Sequence, residues 1–149
     1  MIKYPKQVTG AIIRRGGKIL IAQRGENDEE LPLMWEFPGG KLEEGETPEE
    51  CVVREIKEEL ELDIAVEGVY AAVLYHLNGH EIPITFFNAK IVGGKMRLNV
   101  HQDVRWILAG EIPNYSFMPP DIEVAGRLLG EYKKKNIPPD LAAEYLKNK

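Results

Sequence analysis

The sequence has almost no cysteine and no long apolar run. Among its 149 residues Cys51 is the one cysteine, so no disulfide can form within the chain. A disulfide-stapled secreted fold is therefore excluded, and a reducing compartment is expected. No apolar stretch approaches the roughly 20 residues of a membrane-spanning helix, and the start, MIKYPKQVTG, lacks the apolar core of a signal peptide. We expect a cytoplasmic protein without a membrane partner.

An excess of basic charge is also missing. Lys and Arg number 19 against 24 Asp and Glu, which gives a net charge of -5. This balance argues against binding to a nucleic acid polymer. A small anionic substrate remains compatible with it, because a bound cation inverts the local field. The length and the 44% apolar content match one globular domain, so we expect a single domain over residues 1–149, as a monomer or homodimer.

Glycine turns between β-rich runs predict two hairpins. Gly16-Gly17 lies in the first and Asn78-Gly79 in the second, and these residues readily take the positive φ that such turns need. Together with two helices, the strands predict a mixed sheet with helices packed on it. The predicted strands cover residues 8–14, 18–23, 66–77, 84–92 and 104–108.

Start signals predict the two long helices. Thr47 can cap, Pro48 suits the first helical position and Glu50 completes a capping box, so the first helix should run from Pro48 to about Leu60. The second should begin at Pro119-Pro120-Asp121 and continue to about residue 134. The remaining predictions are a polar loop over residues 24–33, a sharp turn over residues 38–40 and a short helix over residues 140–146.

The first helix is unusually acidic on one side. At about 100° per residue, Glu55, Glu58 and Glu59 fall on one arc beside the apolar stripe. Like charges at this spacing repel each other, and a hard cation such as Mg²⁺ (or Mn²⁺) would turn that repulsion into binding. The glycine-rich turn upstream adds the Gly40 carbonyl as a candidate ligand. The apolar stripe itself is predicted to contain Val52, Val53, Ile56 and Leu60.

A solvated helix face is the alternative to a metal site. Runs of Glu and Lys are more often exposed surface than ligands, and spacing alone leaves this interpretation open. Three features favour the metal site: the acidic arc borders the buried stripe, Glu55 faces Glu59 rather than a base, and a glycine-rich turn precedes the helix.

The same segment resembles the Nudix box of Nudix hydrolases, over residues 40–62. One position departs from the family pattern, because Glu61 stands where the family has glycine. A glutamate there costs about 1 kcal/mol if its φ is positive. The matching positions are Gly40, Glu46, Arg54, Glu55, Ile56, Glu58, Glu59 and Leu62.

The segments LIAQR, WEFPGGK and PPD extend the resemblance to the MutT-like branch of that family. This implies an α/β fold, a Nudix α/β/α sandwich with a mixed β-sheet and flanking helices. The implied reaction is Mg-dependent hydrolysis of a nucleoside diphosphate-linked substrate, above all an ordinary or oxidised nucleoside triphosphate that yields monophosphate and pyrophosphate. The alternatives are an ADP-ribose or nucleotide-sugar pyrophosphatase and a non-catalytic nucleotide sensor.

The resemblance also implies roles for single residues. Glu55 or Glu58 would activate water, and Arg54 would pair with box glutamates, Glu46 among them. An ionised Asp121 would only accept hydrogen bonds and so would favour an exocyclic amine or ring N–H of the base. Phe37 would line the base pocket, unless it is a core aromatic. The implied metal ligands are Gly40, Glu55, Glu58 and Glu59, and the implied substrate-binding residues are Arg24, Phe37, Lys41 and Asp121.

One acidic residue of the branch is missing. The branch often has a further Glu about six residues before the strand tryptophan, and counting back from Trp106 gives Val100. We interpret the neighbouring His101 as a loop histidine without a role. Asp103 and Glu111 are the candidate substitutes for the missing carboxylate.

Overall fold

A computed structural model describes residues 3–137 of the chain. The predicted helix over residues 140–146 lies outside them. Two α-helices, α1 (Pro48–Leu60) and α2 (Ile122–Lys135), accompany seven strands, and short 3-10 helices at Ala109–Asn114 and Pro119–Asp121 precede α2. The strands are β1 (Val8–Arg15), β2 (Lys18–Gln23), β3 (Trp35–Glu36), β4 (Gly39–Lys41), β5 (Leu62–Leu77), β6 (His80–Gly94) and β7 (Asp103–Ile107).

The strands form a mixed sheet in the order β3-β2-β1-β6-β5. β1 runs antiparallel to β2 and parallel to β6, and β7 pairs with β2. Both predicted hairpins are confirmed, since Gly16-Gly17 joins β1 to β2 and Asn78-Gly79 joins β5 to β6, with positive φ at all four residues.

Each face of the sheet carries its own core. Successive side chains of β1 point to opposite faces of the sheet. Ile12 packs in the cluster that contains Val124 and Leu128 of α2. Ala11 and Ile13 point the other way, into the cluster that contains Val52, Ile56 and Leu60 of α1. The predicted α/β/α sandwich is confirmed. Val53 was wrongly assigned to the packed stripe of α1, because 38% of its surface is exposed.

Helix α1 has the predicted boundaries and capping box. Glu50 N donates to Thr47 Oγ1 over 3.1 Å, and Thr47 N donates to Glu50 Oε1 over 2.9 Å. At the other end Glu61 has φ 56° and ψ 30°, the left-handed conformation in which a helix commonly ends with glycine. The condition under which a glutamate at this position of the Nudix box is costly, a positive φ, is therefore met.

Glu61→Gly is expected to raise the free energy of unfolding by about 1 kcal/mol, because glycine adopts positive φ without a Cβ penalty. Urea unfolding measures the change. Glu61→Ala is the matched control: it removes the same carboxylate but keeps the Cβ. Equal stability of the two variants would show that the left-handed φ of Glu61 is not a source of strain.

The sharp turn predicted over residues 38–40 is a bend at Pro38 followed by the short strand β4, which runs antiparallel to the beginning of β1. The glycine at position 39 is needed for the close approach of β4 to β1 and not for a turn. A Cβ on Gly39 would clash with the backbone of Thr9 and Gly10, so only glycine lets the two strands come together here. This pairing places Gly40 beside α1.

Candidate active site

Gly40 and Glu55 are packed against each other. A Cβ on Gly40 would overlap the carboxyl group of Glu55, so the glycine creates the space that this side chain occupies. Thr9 Oγ1 donates to the Gly40 carbonyl over 3.4 Å, and Cys51 Sγ lies 3.7 Å from the same oxygen. The structure thus brings together a backbone carbonyl and a carboxylate that were both predicted as metal ligands.

Arg54 donates hydrogen bonds to three carboxylates of the Nudix box and forms a salt bridge of 3.6 Å with a fourth, Glu43. Its Nε and Nη2 donate to the two oxygens of Glu46 over 2.6 and 3.0 Å, which is the predicted pairing. Its Nη1 donates to Glu55 Oε1 over 2.9 Å and to Glu58 Oε2 over 3.2 Å. The hydrogen bonds from Arg54 lower the pKa of Glu46 to about 2. One guanidinium therefore offsets much of the repulsion that the sequence pattern leaves unbalanced.

Glu59 is the carboxylate of the acidic arc that Arg54 does not reach. Its Oε1 is buried and has no hydrogen-bond partner within residues 3–137. Burial, reinforced by the charges of Glu55 and Glu36, raises the pKa of Glu59 to about 9. An unpaired buried oxygen among carboxylates fits a hard divalent cation. Within the same residues, no three His, Cys, Asp or Glu side chains already surround a common point, so binding an ion requires side chains to rearrange.

The structure pairs His101 with Glu36, a residue that the sequence analysis did not single out. His101 Nε2 donates to Glu36 Oε2 over 2.9 Å, and 2% of the histidine side chain is exposed. The other oxygen, Glu36 Oε1, accepts from Arg24 Nη1 over 3.3 Å. His101 is therefore a buried residue with a specific partner. Asp103, a candidate substitute, binds Arg105 and its neighbouring backbone instead.

The predicted substrate-binding residues have different surroundings. Arg24 is engaged by Glu36, by Asp28 and by the Glu30 carbonyl. The Phe37 side chain is 4% exposed and packs as a core aromatic against Phe86 and Phe117, the alternative considered for it. Lys41 is exposed, and its carbonyl accepts from Arg54.

Asp121 lies at the start of α2 but does not cap that helix. Its Oδ2 accepts from Phe37 N over 3.0 Å. Burial raises the pKa of Asp121 to about 8, with the charge of Glu36 acting in the same direction. At pH 7 the carboxyl is thus mostly protonated and can donate as well as accept. Burial, which the sequence did not show, thus adds a protonated form to the ionised, acceptor-only form considered for Asp121 in the sequence analysis.

Comparison with known proteins identifies the family. Residues 3–128 match the model of the NUDIX domain. The CTP pyrophosphohydrolase of Escherichia coli K12 is 34% identical over 116 residues, which cover 78% of this chain and 85% of that protein. The 8-oxo-dGTP diphosphatase of Haemophilus influenzae is 29% identical over 126 residues, 84% of this chain and 92% of its own length. The solution structure of MutT from methicillin-resistant Staphylococcus aureus 252 superposes with a TM-score of 0.67 at 33% identity, over 87% of this chain and 99% of that one.

The chain belongs to the Nudix family and is a pyrophosphohydrolase with nucleoside diphosphate-linked, small-molecule substrates. Enzymes of this family generally use divalent metal ions. Within residues 3–137, no helix has the length and apolar character needed to cross a bilayer.

Proposed function

We propose that the enzyme hydrolyses a nucleoside triphosphate, ordinary or oxidised, to the monophosphate and pyrophosphate, with Mg²⁺ (or Mn²⁺) as cofactor. The observation that carries this proposal is the unpaired, buried Oε1 of Glu59 beside the Glu55 carboxylate. The names of the E. coli and H. influenzae relatives, which denote nucleoside triphosphate hydrolases, favour a triphosphate over other diphosphate-linked substrates.

Four ligands are proposed to hold the metal: the Gly40 carbonyl and the carboxylates of Glu55, Glu58 and Glu59. A bound divalent ion neutralises phosphate oxygens and lowers the pKa of a coordinated water. Glu55 or Glu58 orients or deprotonates the attacking water. Arg54 fixes the positions of both, since Nη1 contacts each of them. Glu58, which is 59% exposed, has room to exchange Arg54 for another partner.

Substrate contacts are proposed on both sides of this cluster. The exposed ammonium of Lys41, next to Gly40, can meet a phosphate of the substrate. Asp121 contacts the base edge, and Phe37 fixes the Asp121 carboxyl through its backbone N–H. Arg24 is held by Glu36 and the Glu30 carbonyl, so its contact with substrate requires exchange of one of these partners.

A panel of ribo- and deoxyribonucleoside triphosphates, ADP-ribose and nucleotide sugars with Mg²⁺ tests the proposal. We expect monophosphate and pyrophosphate from a triphosphate, and a loss of at least about tenfold in kcat for Glu58→Gln. The control is Glu49→Gln, an exposed carboxylate of the same helix. AMP and ribose phosphate from ADP-ribose as the best reaction would instead support the alternative substrate class. No turnover, or wild-type rates for Glu58→Gln, would refute the proposed chemistry.

A further inference from the structure

The loop before β7 lacks the acidic residue that the MutT-like branch often has there. An acidic residue on β3, Glu36, contacts this loop through His101. The expected loop position is occupied by Val100, an exposed aliphatic side chain without metal-binding atoms. We propose that Glu36 is a further acidic group of the metal centre, and that His101 and Arg24 are positioning residues that hold its carboxylate there. This inference rests on the proposed function.

Glu36 has a fixed orientation because both carboxylate oxygens are held from different directions. Oε2 accepts from His101 over 2.9 Å, and Oε1 accepts from Arg24 over 3.3 Å. Each oxygen of a carboxylate has two acceptor directions, so one direction per oxygen remains free. With 18% of its side chain exposed, Glu36 is neither sealed in the core nor free in solvent. It can therefore accept from a metal-bound water, or bind the ion, without losing its two donors.

Glu36 lies close in the chain to the proposed ligand Gly40 and shares a loop contact with α1. It ends β3, four residues before Gly40, and the chain passes directly from it into β4. His101 connects the Glu36 carboxylate to the loop whose Asn99 is hydrogen-bonded to the Glu58 and Glu59 carbonyls, so Glu36 and the acidic end of α1 are attached to the same loop. This arrangement is unfavourable for the protein alone and becomes favourable around a divalent cation.

The loop that carries His101 is attached to the metal-binding end of α1. Asn99 N donates to the Glu59 carbonyl over 3.0 Å, and Asn99 Nδ2 donates to the Glu58 carbonyl over 2.9 Å. Two residues later His101 reaches Glu36. The loop thus fixes the distance between the α1 glutamates and β3, which is what a positioning role requires.

The first test is a calorimetric Mn²⁺ titration of Glu36→Gln, which keeps the side-chain size and removes the charge. We expect the Kd for Mn²⁺ to rise about 10- to 100-fold, with a lower kcat and a KM for nucleotide within about threefold of wild type. His101→Leu should weaken Mn²⁺ binding, and His101→Gln, which retains an amide donor for Glu36, should restore part of it. His76→Leu, at an exposed histidine of β5, is the control and should behave as wild type.

Two results would overturn the inference, and they are distinguishable from failure of the proposed function. Wild-type Mn²⁺ affinity in Glu36→Gln, with only a lower melting temperature, would make the Glu36–His101 pair a loop anchor. No rescue by His101→Gln relative to His101→Leu, with both variants folded, would remove His101 as a positioning residue.

Glu59→Gln in the same titration checks the proposed function: loss of Mn²⁺ binding there, but not in Glu36→Gln, rejects only the present inference. If the wild-type protein binds no Mn²⁺, both proposals fail.

Discussion

Glu59→Gln is expected to lower hydrolysis by about 100-fold or more and, in the same protein without metal, to raise the melting temperature. The loss follows from removal of a proposed metal ligand. The higher melting temperature follows from the surroundings of Glu59. Its Oε1 is buried without a partner, and burial together with the charges of Glu55 and Glu36 makes ionisation of this carboxyl unfavourable in the folded protein. A neutral amide of the same shape does not ionise and so avoids this cost. Glu59→Gln is therefore expected to lower activity and to raise stability at the same time.

The stabilisation by Glu59→Gln should depend on pH. The pKa of Glu59 is about 9 in the folded protein and 4.5 ordinarily, so between these values the folded state binds more protons than the unfolded state. Wild-type stability consequently falls as pH rises through this window. The advantage of the variant should be small near pH 4.5 and on the order of 4 to 5 kcal/mol by pH 8.

Thermal unfolding in EDTA at several pH values, together with steady-state hydrolysis, measures both effects. Glu49→Gln is the matched control, because that carboxylate is exposed on the same helix. Mg²⁺ should raise the melting temperature of wild type more than that of Glu59→Gln. A variant that is less stable than wild type at pH 8, or that keeps most of its activity, would contradict this account of Glu59.

Asp121→Asn is expected to stabilise the protein at alkaline pH, on the order of 5 kcal/mol near pH 8. Burial raises the pKa of Asp121 from 3.8 to about 8, so the folded protein opposes its ionisation. Stability from the wild-type carboxyl is therefore retained below pH 4 and lost as pH rises to 8. Asparagine keeps an oxygen for the hydrogen bond from Phe37 N and does not ionise.

Urea unfolding of wild type and Asp121→Asn between pH 4 and 9 tests the sign and the window. Asp121→Ala is the comparison, since it leaves the buried Phe37 N–H without its acceptor and should be less stable than Asp121→Asn at every pH. A stability difference between Asp121→Asn and wild type that is independent of pH would reject the proposed protonation. In hydrolysis assays, Asp121→Ala should change base preference more than overall rate.

Local signals in the sequence predicted much of the fold. The capping box at Thr47 and Glu50 and the two glycine-containing turns depend on neighbours a few residues apart, and all of them are confirmed. The pairing of Arg54 with Glu46 was also predictable from the family pattern, because both lie within the Nudix box. Short-range geometry determines such features almost independently of the rest of the fold.

Other features of the site depend on tertiary packing. Glu36 and His101 are 65 residues apart, and no sequence spacing indicates that they meet. A helical wheel places Glu55, Glu58 and Glu59 on one arc but does not show that Glu59 alone has a buried, unpaired oxygen. The raised pKa of Asp121 likewise follows from its burial, which outweighs the opposing hydrogen bond from Phe37 N. Burial and long-range contacts decide these properties, and sequence periodicity carries little information about them.

The sharing of Arg54 among Glu46, Glu55 and Glu58 has a consequence for the proposed loss and return of a metal ion. Arg54 already holds these side chains together, so the proposed ion would exchange with this guanidinium and would not have to order its ligands from a disordered state. Chelation should then switch the catalyst off while its scaffold persists, in contrast to small zinc modules that unravel when stripped. Restoring the ion restores the working arrangement without any need to refold.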